Sequence, residues 1–125
     1  MMLLYEELTG EIVGAAIEVH RALGPGLLES AYEECLCREF ELRRVRFQRQ
    51  IALPVSYRGL QLDCGYRMDL VVEEKVVLEI KAVESLAPIH EAQLMTYLKL
   101  SGLRAGLLMN FNVVLMKDGI KRIVL

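Results

Sequence analysis

Asp69, Glu79 and Lys81 each interrupt an otherwise apolar run, the first in RMDLVV and the other two in VVLEIK. Between the runs lies Glu73-Glu74-Lys75, which reads as the loop of a hairpin. If Val72 faces Val76, pairing outward sets Asp69 directly opposite Glu79. Side chains alternate along a strand, so Lys81 shares the face of Glu79, and Leu78 and Ile80 take the other. Two carboxylates facing each other across a strand pair repel, and apolar surroundings add a desolvation cost. Something positive should compensate. Lys81 is one candidate and a divalent cation is another, because Mg²⁺ is commonly held by one or two carboxylates with waters and a substrate phosphate completing its shell. The purely structural alternative is a solvated Asp69 beside a Glu79–Lys81 ion pair.

Other groups could join such a site. His90, Gln93 and Tyr97 are spaced i, i+3 and i+7, which aligns them on one side of a helix. Gln93 and Tyr97 could touch a phosphate or a base; the alternative is an interfacial stripe in which Tyr97 packs and His90 is merely hydrogen-bonded. Glu29 opens a helix, with Tyr32 three residues on, and an acid there also simply suits the helix dipole. His20 reads as a core or capping residue rather than a ligand. Arg43, Arg44, Arg46 and Arg49 are the densest basic run, either a phosphate patch or a solvated set of charges.

The elements that carry these residues follow from periodicity. Helical spacing runs from Leu8 to Ala22, Gly24-Pro25-Gly26 breaks it, and a second helix carries Leu28, Ala31, Tyr32, Cys35, Leu36 and Phe40. Strands are expected over 47–57, 61–72 and 76–83, then a helix over 88–100 between Pro88 and Gly102, then strands over 104–111 and 119–125. Pro54 marks an edge or bulge. A helix crossover between strands builds a parallel pair. The fold class is therefore α/β, a mixed central sheet flanked by helices.

With 125 residues the chain fits a single domain spanning 1–125. Apolar residues are 54% and mean hydropathy is +0.30, which leaves room for an apolar interface and a homo-oligomer. The formal charge of −2 argues against a protein living on non-specific phosphate contacts. Cys35, Cys37 and Cys64 form no CxxC pair and no disulfide framework, so a reducing cytoplasm is expected. Met1-Met2-Leu3-Leu4 is too short for a signal peptide, and no apolar run reaches the roughly 18 residues of a membrane span.

GLLESAY, residues 26–32, matches the pattern that names the bacterial GxxExxY proteins, with Gly26, Glu29 and Tyr32 in the named places. MDLVV, VLEIKAV and LAPIHEAQLMTYLKLSG resemble the same family along most of the chain. That family is grouped with the PD-(D/E)XK nucleases, which share a restriction-endonuclease-like core. The resemblance implies that Asp69 is the signature Asp, Glu79-Ile80-Lys81 the (D/E)XK element, Glu29 the helix acid, and Gln93-xxx-Tyr97 the QxxxY motif of the recombination-type branch. Met68 stands where the signature has Pro. The cysteines that bind an iron–sulfur cluster in some relatives have no counterpart. The implied function is metal-dependent hydrolysis of phosphodiester bonds, with DNA the expected nucleic acid. Asp69, Glu79 and the Ile80 carbonyl would hold Mg²⁺ or Mn²⁺, with Glu29 completing the shell. Lys81 would place the attacking water or steady the phosphate charge. The same fold also serves members that bind nucleic acid or protein without cutting.

Overall fold

The computed structural model describes residues 3–125; Met1 and Met2, which open the apolar start of the chain, lie outside them. Helix α1 (Glu6–Leu23) has Glu6 and Glu7 in its first turn and His20 and Arg21 in its last, the polarity that its dipole favours. Gly24 ends it at φ 71. Helix α2 (Glu29–Leu42) follows, then strands β1 (Phe47–Ala52), β2 (Val55–Tyr57), β3 (Leu60–Leu62), β4 (Arg67–Val72) and β5 (Val76–Lys81). Helix α3 (Pro88–Ser101) crosses over to β6 (Ala105–Asn110), and a short 3-10 turn at Met116–Gly119 leads into β7 (Ile120–Val124). Pro88 sits in the first turn of α3 and Gly102 caps its end at φ 78, as their types require.

Five strands form one sheet in the order β1-β4-β5-β6-β7. Only the β5–β6 pair, joined through α3, is parallel. The alternation of side chains sorts the apolar residues into two layers. Leu70, Val72, Leu78, Ile80, Leu107 and Met109 pack with Ile12, Ala16, Leu36 and Phe40 of α1 and α2. Val71, Val77 and Leu108 pack with Leu94, Tyr97 and Leu98 of α3. The expected mixed sheet flanked by helices is what forms. The α3 layer packs tightly because Gly106 has no side chain: a Cβ there would stand 2.9 Å from Leu94.

Two expected strands are each split. Pro54 ends the first, since it has no N–H to donate to a ladder. The preceding Leu53 instead donates its N–H to the Tyr66 carbonyl at 2.9 Å. The second splits at Asp63-Cys64-Gly65, where Gly65 takes φ 78 and donates its N–H to Asp63 Oδ1 at 3.1 Å. The result is a separate β2–β3 ribbon. Strand β5 stops at Lys81, two residues before the expected end. There the buried Asn110 takes over, accepting from Val83 N–H and donating to Val83 O, both at 3.0 Å. Among the described residues no helix is long and apolar enough to cross a membrane, and the three cysteines are free.

Candidate active site

The turn at residues 73–75 sets the expected register. Val72 pairs with Val76, Val71 with Val77, and Leu70 with Leu78. At the next position the backbone ladder gives way to side chains. Asp69 N–H donates to Glu79 Oε2 at 2.9 Å, and Ile80 N–H donates to Asp69 Oδ2 at 2.8 Å. Each carboxylate thus takes the place of a carbonyl of its own strand, and the two acids hold the strand ends apart while facing each other.

A change of face accompanies this opening. Leu70 packs in the α1/α2 layer, yet Met68, two residues away, packs in the α3 layer. Strand β1 does the same, with Phe47 against one layer and Ile51 against the other. Between them Gln50 adopts φ 49, a left-handed conformation uncommon for a side-chain-bearing residue. Its Nε2 donates to Glu33 Oε1 at 2.8 Å and lies 3.4 Å from Asp69 Oδ1. Backbone strain of this kind collects where surroundings over-determine a geometry. Here it carries an amide between a helix acid and a strand acid.

Burial and like charge act together on the pair. Glu79 is 4% exposed, and desolvation followed by the Asp69 charge pushes its carboxyl up to about 8. Burial also raises Asp69, with the Glu33 charge adding to it and the Ile80 N–H opposing. Tyr97 is raised by burial first and then by the charges of Glu79 and Asp69. A hard divalent cation is what such a pair could hold, since Glu79 is fixed through one oxygen and the second oxygen of Asp69 has only the long Gln50 contact. Ile80 directs its carbonyl to the same side as its N–H, toward Asp69. Among the described residues no three His, Cys, Asp or Glu side chains form a ready-made ligand cluster. A magnesium-type shell needs only one or two carboxylates, so the donor set fits.

Lys81 makes no salt bridge to Glu79 among the described residues; those that form involve other groups. Lys81 lines a cleft of about 660 Å³ together with Tyr66, Ile89, His90, Gln93 and Tyr97. The stripe on α3 therefore does face the same space as the lysine. His90 Nδ1 is already used, accepting Ala87 N–H at 3.0 Å at the start of α3. Glu29 is exposed at the first position of α2, near enough for its charge to be felt at Glu79. Residue spacing does not single out Glu33, one turn later. It is buried, bonded to Arg49 at 2.9 Å and to Gln50, and its charge reaches Asp69. An acid inside the apolar stripe of α2 is its only trace in the sequence.

The remaining candidates are structural in their contacts. Tyr32 OH donates to the Gly24 carbonyl at 2.6 Å and accepts from Leu27 N–H at 3.1 Å, while its ring stacks on Phe111 at 4.5 Å. It thus clamps the loop that contains Gly26, which sits at φ 99. His20 Nε2 bonds the Val113 carbonyl at 2.8 Å, the core role expected of it. The arginine run is largely spent on carboxylates. Arg43 pairs with Glu39 and Glu11, Arg46 with Glu73, and Arg49 with Glu33 and Glu34.

No curated protein and no solved structure matches the chain. A family model described as the PD-(D/E)XK nuclease superfamily matches residues 6–123. With that match over nearly its whole length, and with the mixed sheet that carries its two facing acids, this chain belongs to the PD-(D/E)XK nuclease superfamily.

Proposed function

We propose that this protein is a divalent-metal-dependent nuclease that hydrolyses phosphodiester bonds, with DNA as its substrate. The observation that carries the reading is the pair Asp69 and Glu79, fixed by reciprocal bonds to backbone N–H groups where the β4–β5 ladder opens. Asp69, Glu79 and the Ile80 carbonyl are the groups that would hold Mg²⁺ or Mn²⁺. Such an ion supplies positive charge to a phosphate and acidifies a water. Lys81 brings a cation to the cleft beside the acids and would stabilise charge on the phosphate or place the water. Gln93 and Tyr97 would orient the substrate from α3. Glu29 or Glu33 would complete the acidic side of the site, and Glu33 is the better placed because Gln50 ties it to Asp69.

The GLLESAY segment supports membership of the GxxExxY subfamily. In this reading residues 1–125 form one nuclease-like domain, and the three free cysteines suit a reducing cytoplasm. The direct test incubates purified protein with Mn²⁺ and labelled single- or double-stranded DNA. Cleavage is expected, and Asp69→Ala should reduce it by more than the roughly 10–100-fold that loss of a supporting hydrogen-bond partner costs. Cleavage of no nucleic acid, or cleavage indifferent to Asp69→Ala, would sink the reading.

A further inference from the structure

The β2–β3 ribbon carries an apolar face whose outer end is exposed. Val55 pairs with Leu62 and Tyr57 with Leu60. Cross-strand partners share a face, so these four side chains lie together and Ser56 and Gln61 lie opposite. Val55 lines the cleft of Lys81 and Tyr97, so this apolar face is continuous with it. Tyr57 is 63% exposed, Leu60 55% and Ile89, across the cleft, 69%. Tyr66 stands at the junction, 6.5 Å from the Tyr97 ring between centroids.

The cations nearby, Arg58, Arg67 and Lys81, have no carboxylate partner among the described residues, and the exposed acid Asp63, whose Oδ1 accepts from Gly65 N–H, follows the ribbon. Arg58 lies over the Tyr57 ring at 5.7 Å. Arg67 donates to the Gln50 carbonyl at 3.4 Å, beside the acids. Neither of these, nor Lys81, makes a salt bridge among the described residues, whereas Arg43, Arg46 and Arg49 all do. Cations set around aromatic rings match a polyanion whose units carry flat apolar faces. A duplex hides those faces in its stack, and only an unpaired strand offers them to Tyr66 and Tyr57. A polymer with one phosphate at Asp69 and Glu79 can run its next nucleotides through the cleft that Lys81 lines.

We infer that the ribbon and cleft form a stacking platform for single-stranded nucleic acid, with bases on Tyr66, Tyr57 and Ile89 and phosphates toward Arg58, Arg67 and Lys81. This rests on the nuclease reading for the position of the reacting phosphate. The test measures fluorescence anisotropy of a labelled 20-nucleotide strand, its duplex and an abasic strand of equal length, in Ca²⁺, with intact oligonucleotide verified on a gel. The single strand should bind about tenfold or more tightly than the other two. Tyr66→Ala and Tyr57→Ala should each weaken it by about tenfold, with Tyr66→Phe near wild type. Equal affinity for duplex or abasic strand overturns the inference, as does indifference to both alanine variants. So does a dimer that Tyr57→Ala dissociates without changing strand affinity, since a second copy then covers the face. Strand-selective binding without Mn²⁺-dependent cleavage upholds the platform and defeats hydrolysis; cleavage without strand preference does the reverse.

Discussion

At Glu79, burial and the neighbouring Asp69 charge act in the same direction, lifting the carboxyl from 4.5 to about 8 against the pull of the Asp69 N–H and the Lys81 charge. Between those two values the folded chain keeps a proton that the unfolded chain has released. Stability from this residue is therefore complete below about pH 4.5 and is lost as pH rises toward 8. Glu79→Gln keeps an acceptor for Asp69 N–H and cannot ionise. Without divalent metal it should exceed wild type in urea-unfolding stability by about 1–3 kcal/mol at pH 9, since a tenfold change in acidity on folding corresponds to about 1.4 kcal/mol. The gain should fade by pH 5. The same difference at both pH values would show that titration of Glu79 is not its cause. A buried acid whose charge is opposed in this way suits the ion-binding role proposed above.

At the scale of elements, the end of β6 is the joint that fixes the site from behind. Asn110 pairs with Lys81 in the parallel ladder and holds Val83 through its side chain. The 3-10 turn passes so near that a Cβ on Gly119 would stand 2.1 Å from the Asn110 carbonyl oxygen. Gly119→Ala must displace that joint and should cost about 1–3 kcal/mol or more in urea unfolding. Gly10→Ala, inside α1 with nothing within 4 Å of the added methyl, should instead add about 0.5–1 kcal/mol. Equal stability of both variants would mean that the close approach does not constrain the fold. Sequence spacing made much of this framework legible. The charged turn at 73–75 put Asp69 against Glu79, and helical spacing put His90, Gln93 and Tyr97 in one stripe, which the fold turns toward the cleft that Lys81 lines. What spacing does not reveal depends on tertiary surroundings. Residues 55–57 look like the end of one strand and 61–62 like the start of the next, although Pro54 and Gly65 detach both into a separate ribbon. Gln50 looks like any polar strand residue, since nothing local announces φ 49. Glu33 shows in the sequence only as an acid within the apolar stripe of α2, and its role appears once α2 docks and Gln50 reaches it.

For the whole molecule, an acidic chain of formal charge −2 must attract a polyanion through local charge alone. Most of its densest basic run is neutralised by carboxylates. Two layers of helices press on a sheet whose open end gathers Asp69 and Glu79, with the charges of Glu29 and Glu33 in reach. A bound divalent cation would reverse that local balance, and its arrival has a signature that activity alone does not give. At pH 7 Glu79 is largely protonated, because its carboxyl titrates near 8. A cation coordinates the ionised form, so binding must expel the proton. Calorimetry of Mn²⁺ binding at pH 7, in two buffers of different ionisation enthalpy, should report release of about one proton. The release should fall toward zero by pH 9, and apparent affinity should climb by up to about tenfold per pH unit until it levels near 8. Glu79→Gln should bind weakly and release no proton. Wild-type binding with no proton release at pH 7, or with an affinity that ignores pH between 6 and 8, would place the cation somewhere other than this pair of acids.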